Sequence, residues 1–198
     1  MGNYPKAFSS HEKALEIRQQ SRPTNHPDLA QSYNNIGVVH STIGNYQKAL
    51  SYFEKALEVQ QQSLASNHPD LAKSYNNIGS QHRSMCNYSK ALLSYEKALG
   101  IQQQSFRSNH PDLAYYCNKI GLVHADIGNY PKALYYEEKA LAIQQQSLPP
   151  NHPDLADSYN YIGLVHRNMG NYPKAFSSHA KALEVQQQSL RSNHPDFG

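Results

Sequence analysis

Residues 25–37 read Asn25-His26-Pro27-Asp28-Leu29-Ala30-Gln31-Ser32-Tyr33-Asn34-Asn35-Ile36-Gly37, and the opening Asn-His-Pro-Asp returns at Asn67, Asn109, Asn151 and Asn193, every step being 42 residues. The Gln-Gln-Gln-Ser runs beginning at Gln60, Gln102, Gln144 and Gln186 keep the same step, as do Gly37, Gly79, Gly121 and Gly163. A fixed period of about 20–50 residues marks a repeat array, in which each unit completes its core only against the next.

One period predicts two helices. Pro27 suits a first helical position, Asp28 favours the positive end of the helix dipole, and Asn25 or His26 is the expected cap. Tyr33, Ile36, Gly37 and His40 then form a single helical stripe. Gly44-Asn45 breaks the chain, and a second helix is expected from about Tyr46 to Ser63, with Ala49, Leu50, Phe53, Ala56, Leu57 and Gln60 on one side. A mid-helix glycine costs about 1 kcal/mol against alanine, so four at one phase need a steric cause. The expectation is that they face the small residues Ala49, Ala91, Ala133 and Ala175, with Ala56, Ala98, Ala140 and Ala182, letting paired helices approach closely. The array is all-α throughout.

Composition narrows the classes. The 198 residues are 38% hydrophobic and 17% charged, with no tryptophan but 15 tyrosines. The fixed spacing of Leu, Ile, Ala and Tyr argues against disorder. No apolar run approaches the ~18 residues of a membrane span, and Met1-Gly2-Asn3-Tyr4-Pro5-Lys6 has neither a signal-peptide core nor a myristoylation motif. The net charge of +3 is spread among carboxylates, which selects no nucleic-acid partner. Cys86 and Cys117 are too few for a disulfide framework and have no metal-ligand spacing, so a reducing, cytoplasmic setting is expected. The eleven histidines all follow repeat phase and read as caps and packing residues, with no metal or cofactor implied. Although His-Pro-Asp also marks the J-domain of co-chaperones, it occurs there once, whereas here it recurs as a helix start. Asn87-Tyr88-Ser89 is the repeat's ordinary turn rather than a glycosylation site. No catalytic motif stands in the local sequence, and no enzyme activity is expected.

Ala30, Tyr33, Ile36, Gly37, His40, Gly44, Tyr46, Ala49, Phe53 and Ala56 fall on the tetratricopeptide signature. The His-Pro-Asp-Leu-Ala opening, the Tyr-Asn-Asn-Ile-Gly run and the 42-residue unit resemble the longer repeats of kinesin light chains. The resemblance implies a right-handed superhelical solenoid of antiparallel helix pairs, read as one array over 1–198. It begins with an orphan second helix (1–23), continues through repeats 24–65, 66–107, 108–149 and 150–191, and ends on the start of another (192–198). Two departures are visible. The heptad segment of kinesin light chains is absent here, and the Phe53 and Tyr95 position is filled by His11, Glu137 and His179 in other units, where looser packing is expected.

The same resemblance implies that the first helices line a concave groove that binds peptide segments of partner proteins. Asn34, Asn76, Asn118 and Asn160 would pair with a ligand backbone, or alternatively bond neighbouring helices. Around them the groove positions vary between units: Gln31, Lys73, Tyr115 and Asp157; Val38, Ser80, Leu122 and Leu164; Ser41, Arg83, Ala125 and Arg167. Lys73, Arg83 and Lys119 suggest an acidic ligand residue, and Tyr115, Leu122, Tyr161 and Leu164 an aromatic or aliphatic anchor. Helical-repeat RNA binding would need a continuous basic groove, which Asp126 and Asp157 interrupt.

Two other functions fit the same residues. One is a kinesin-light-chain-like cargo adaptor, and the other is the recognition arm of a larger enzyme. Residues 1–11 are identical to 169–179, and no capping unit stands at either end, so a longer product is expected. Uncapped terminal repeats would also allow end-to-end self-association.

Overall fold

The computed structural model describes residues 4–105 and 110–192, with side chains over 12–105 and 110–190. Within them the chain forms α1 (Tyr4–Ser21), α2 (Pro27–Thr42), α3 (Tyr46–Ser63), α4 (Pro69–Ser84), α5 (Tyr88–Ser105), α6 (Pro111–Asp126), α7 (Tyr130–Ser147), α8 (Pro153–Asn168) and α9 (Tyr172–Ser192), and no strand occurs among the described residues. They group into two compact units, Met1–Ser105 and Phe106–Gly198. In the first unit α1, α2, α3, α4 and α5 pack in chain order, and in the second α6, α7, α8 and α9 do the same.

Each first helix starts on a histidine rather than the asparagine before it. The Nδ1 atoms of His26, His68, His110 and His152 accept the backbone N–H of the aspartate two residues on, at 3.2, 3.1, 3.3 and 3.2 Å. An imidazole nitrogen thus satisfies one of the donors that a helix start leaves open. Gly44, Gly128 and Gly170 end their helices at φ of +79°, +76° and +75°. Cys86 takes the same left-handed turn at φ 58°, where a side chain costs about 1–2 kcal/mol.

Helices of 16 and 18 residues are only marginal alone, so the core between them matters. Leu15, Leu29, Ala30, Ile36, Ala56 and Val59 form one cluster, and Ala49, Leu50, Phe53 and Ile78 the next. In the second unit Leu155, Ala156, Ala182 and Val185 do the same work. Polar links tie each second helix to the following first helix. Ser74 donates to Gln60 at 2.6 Å and Gln61 to the Tyr75 hydroxyl at 3.0 Å; Ser158 to Gln144 and Gln145 to Tyr159 repeat them at 2.7 and 3.0 Å. In the sequence Tyr116 and Cys117 stand where these repeats have the serine and tyrosine.

The glycine expectation needs correction. A Cβ on Gly37 would lie 2.7 Å from the Phe53 ring, and one on Gly79 2.8 Å from Tyr95. On Gly121 it would meet Glu137 Oε1 at 2.7 Å, and on Gly163 the His179 ring at 2.8 Å. The glycines therefore make room for a large side chain of the paired helix rather than for its alanines. Packing at Glu137 is not loose either, for that side chain is only 1% exposed. Gly79→Ala should lower stability by about 1–3 kcal/mol through overpacking. Gly100→Ala, on a helical glycine with open space around it, should raise it by up to about 1 kcal/mol. Thermal unfolding of the two variants side by side checks both signs.

Candidate functional site

The first helices present the asparagine series at half-buried positions. The Oδ1 atoms of Asn34, Asn76 and Asn118 are buried without a hydrogen bond, so each has acceptor capacity that the fold does not use. Asn160 differs, its Oδ1 lying 3.0 Å from His179 Nδ1. That contact identifies a series the sequence reading missed. Side chains packed under the glycines reach the first-helix face: His179 meets Asn160, and the Tyr95 hydroxyl lies 3.1 Å from Ser80 Oγ. Their phase with the glycines was the available signal.

In the first unit, Lys73 is exposed and pairs with Asp70 at 2.9 Å, while Arg83 lies ten residues further along α4. Gln31 donates to Asn35 at 2.8 Å, and Val38 is exposed. An open cleft of about 590 Å³ in this unit is lined by Leu64, Tyr75, Lys97 and Ile101 and contains none of the expected groove residues.

The second unit brings Tyr115, Asn118, Lys119 and Leu122 of α6 together with Tyr161 of α8 around one cleft of about 280 Å³. Asp154 and Asp157 line it too. Lys119 Nζ sits 5.0 Å from the centroid of the Tyr115 ring, which lies nearly perpendicular to that of Tyr116. Leu164 and Arg167 lie further along α8 and do not line this cleft. Lys73 and Arg83 belong to the first unit and Lys119 to the second, where the other charges at the cleft are carboxylates.

Behind the α6 face lies Glu137. Burial pushes its carboxyl up to about 8, and Oε2 has no hydrogen bond. Burial also raises the Cys117 thiol; the Lys139 charge opposes that shift and Glu137 adds to it. His40 and His82 in the first unit are lowered, first by burial, then by the Lys48 and Lys90 charges respectively, against an opposing glutamate. His40 stacks on Tyr52 at 5.5 Å, in keeping with a packing role. No group of three or more His, Cys, Asp or Glu able to hold a metal occurs among the described residues.

This repeated helix pair defines an α-helical repeat protein, and comparison with known proteins identifies which. The chain belongs to the tetratricopeptide repeat family, whose sequence profiles match residues 1–62, 42–104 and 70–146, and 155–196. Solved structures of at most 24% identity share its fold. BtubC (BKLC) from P. vanneervenii is similar at a TM-score of 0.86 and 24% identity, over 98% of this chain and 77% of that one. A Podosopora anserina protein regarded as a kinesin light chain, with nearly identical TPR-like repeats, is similar at 0.83 and 20%, over 96% and 90%. The apo form of RapI is similar at 0.82 and 17%, over 95% and 66%. No curated protein matches the sequence. Among the described residues, no helix is long and apolar enough to cross a membrane.

The carboxyl of Glu137 has a testable consequence. A folded value near 8 against an ordinary 4.5 means that its support for folding is complete below about pH 4.5 and fades as pH rises through 8, by roughly 5 kcal/mol at most. The lowered imidazoles act oppositely, their support fading as pH falls through and below 6.5. Glu137→Gln should raise the unfolding midpoint by several degrees at pH 8.5 and by little at pH 4. Equal gains at both pH values would contradict an uncharged buried acid.

Proposed function

We propose that this chain is a non-catalytic scaffold that binds peptide segments of partner proteins along its first-helix face. The tetratricopeptide fold itself supports a protein-interaction role. The observation that carries the finer reading is the second unit's cleft, where Tyr115, Leu122 and Tyr161 stand together with the half-buried amide of Asn118. The half-buried amides of Asn34 and Asn76 would pair with the backbone of an extended ligand. Tyr115, Leu122, Tyr161 and Leu164 would take an aromatic or aliphatic anchor, and Lys73 and Arg83 an acidic residue, with Arg167 at the α8 end of the face. The two free cysteines, one exposed and one buried, fit a reducing cytoplasm.

Two narrower roles rest on this scaffold. The likeness to kinesin-light-chain repeats favours a cargo adaptor, in which the groove would hold a cargo peptide. An enzyme's recognition arm would use the same face, and its chemistry would reside elsewhere.

Fluorescence anisotropy of the full chain against a degenerate acidic, tyrosine-containing decapeptide pool tests the groove. Micromolar binding is expected. Lys73→Glu with Arg83→Glu should weaken it at least tenfold, and Asn76→Ala with Asn118→Ala by a similar factor. Binding unmoved by the charge reversal would remove the acidic contact, whereas failure of every peptide pool to bind would remove the groove reading.

A second mode of association has its own observation. Phe176 and Leu183 on α9 are 77% and 55% exposed, while their repeat equivalents Leu50 and Leu57 on α3 share a core cluster with Ile78 of α4 and with Met85 just after it. We propose that the α9 face takes a helix from a second copy, giving end-to-end association. Sedimentation velocity should show mass rising with concentration and Phe176→Glu abolishing the rise. A constant monomer would exclude it.

A further inference from the structure

The second unit's cleft differs in chemistry from the basic patch of the first. Of its lining residues, Asp154 and Asp157 carry negative charge and Lys119 alone a positive one, a balance of −1. The Asp154 carboxylate has only His152, at 3.7 Å, and Asp157 has no ion pair or hydrogen bond among the described residues. Asn118 lines the cleft as well, although its Oδ1 is itself buried. Lys119 does not neutralise this set. Its ammonium lies 5.0 Å from the Tyr115 centroid and forms no ion pair among the described residues.

Two carboxylates and an asparagine amide on two helices thus line one small space, with Lys119 as its one positive charge. Tyr115 and Tyr161 line that space, and aromatic faces attract cations. A volume of about 280 Å³ is at the small end for ligand pockets, which run from about 300 to 1,000 Å³. It suits one long side chain better than a whole ligand. A guanidinium brings five N–H donors in a plane and stacks on aromatic rings, whereas an ammonium offers three donors around a point.

We propose that this cleft takes an arginine side chain of the bound peptide, its guanidinium donating to Asp154 and Asp157 beside Tyr161. The proposal rests on the groove reading and specifies its ligand: a peptide whose segment at the second unit carries arginine, opposite in charge to the residue sought by Lys73 and Arg83. Lys119 would then weaken the binding of any cation there by like-charge repulsion.

The test uses the full chain and four degenerate nonapeptide pools that differ only in the central residue, which is Arg, Lys, Glu or Leu. The Arg pool should bind at least fivefold more tightly than the Lys pool and more tightly still than the Glu and Leu pools. Asp157→Asn should erase most of that preference, and Asp154→Asn with Asp157→Asn all of it. Because Asp157 is exposed, its substitution should leave the thermal midpoint unchanged, which separates lost binding from lost fold. Lys119→Gln should tighten the Arg pool. A preference for Glu or Leu, or an Arg preference that survives both aspartate changes, would overturn the arginine assignment while leaving groove binding intact. Equal binding of Arg and Lys would overturn the choice of a guanidinium. Binding of none of the four pools would overturn the groove reading with it.

Discussion

The rest of the structure depends on one close contact: a glycine of each first helix lying against a large side chain of its paired second helix. At Gly37 a single added carbon would come within 2.7 Å of the Phe53 ring. Real Cβ atoms do not sit so close, so the helix spacing exists only because that carbon is missing. The cost of a mid-helix glycine is about 1 kcal/mol. Burying a phenylalanine side chain contributes about 1.5–3 kcal/mol, which is enough to offset it. The same arrangement recurs four times with four different partners, Phe53, Tyr95, Glu137 and His179.

That contact also links the core to the outer face. A side chain passing under the glycine emerges near the asparagine and the variable position of the first helix, as His179 does at Asn160 and Tyr95 at Ser80. Where the partner is phenylalanine, the neighbouring asparagine oxygen stays without a bond, and where it is histidine the oxygen is engaged. Changing one core residue can therefore alter how much hydrogen-bonding capacity the face offers a ligand. Glu137 is the extreme case, since a carboxyl held at about 8 sits behind the face that carries Asn118 and Lys119.

Much of this was legible in one dimension. The period, the helix pair, the turn glycines and the paired stripe all follow from spacing, because a helix shows its buried side in sequence every three or four residues. Cys86 stands 42 residues from both Gly44 and Gly128, and its φ of 58° fits the same turn. The cap was readable only as a choice of two, since Asn25 and His26 are adjacent and only geometry shows which nitrogen or oxygen reaches the Asp28 N–H. The steric role of the glycines was assigned to the wrong neighbour: alanine repeats at a suitable phase, but the ring of Phe53 extends further across the interface than its Cα suggests.

The functional face divides along similar lines. The sequence by itself determined which residues could be exposed on the first helices, because helical phase separates them from the Tyr33 and Ile36 stripe. It could not determine which of them share a site, for that depends on the approach of one helix to another. Only the tertiary structure brought Tyr115, Asn118, Lys119 and Leu122 to the same cleft as Asp154, Asp157 and Tyr161, and so decided that its charge is negative. Charge counts along a chain are additive, whereas the field in a cleft depends on which charges face it and at what distance. The burial of Glu137 has the same origin: a carboxylate in a polar repeat reads as solvated until a glycine on another helix leaves room to enclose it.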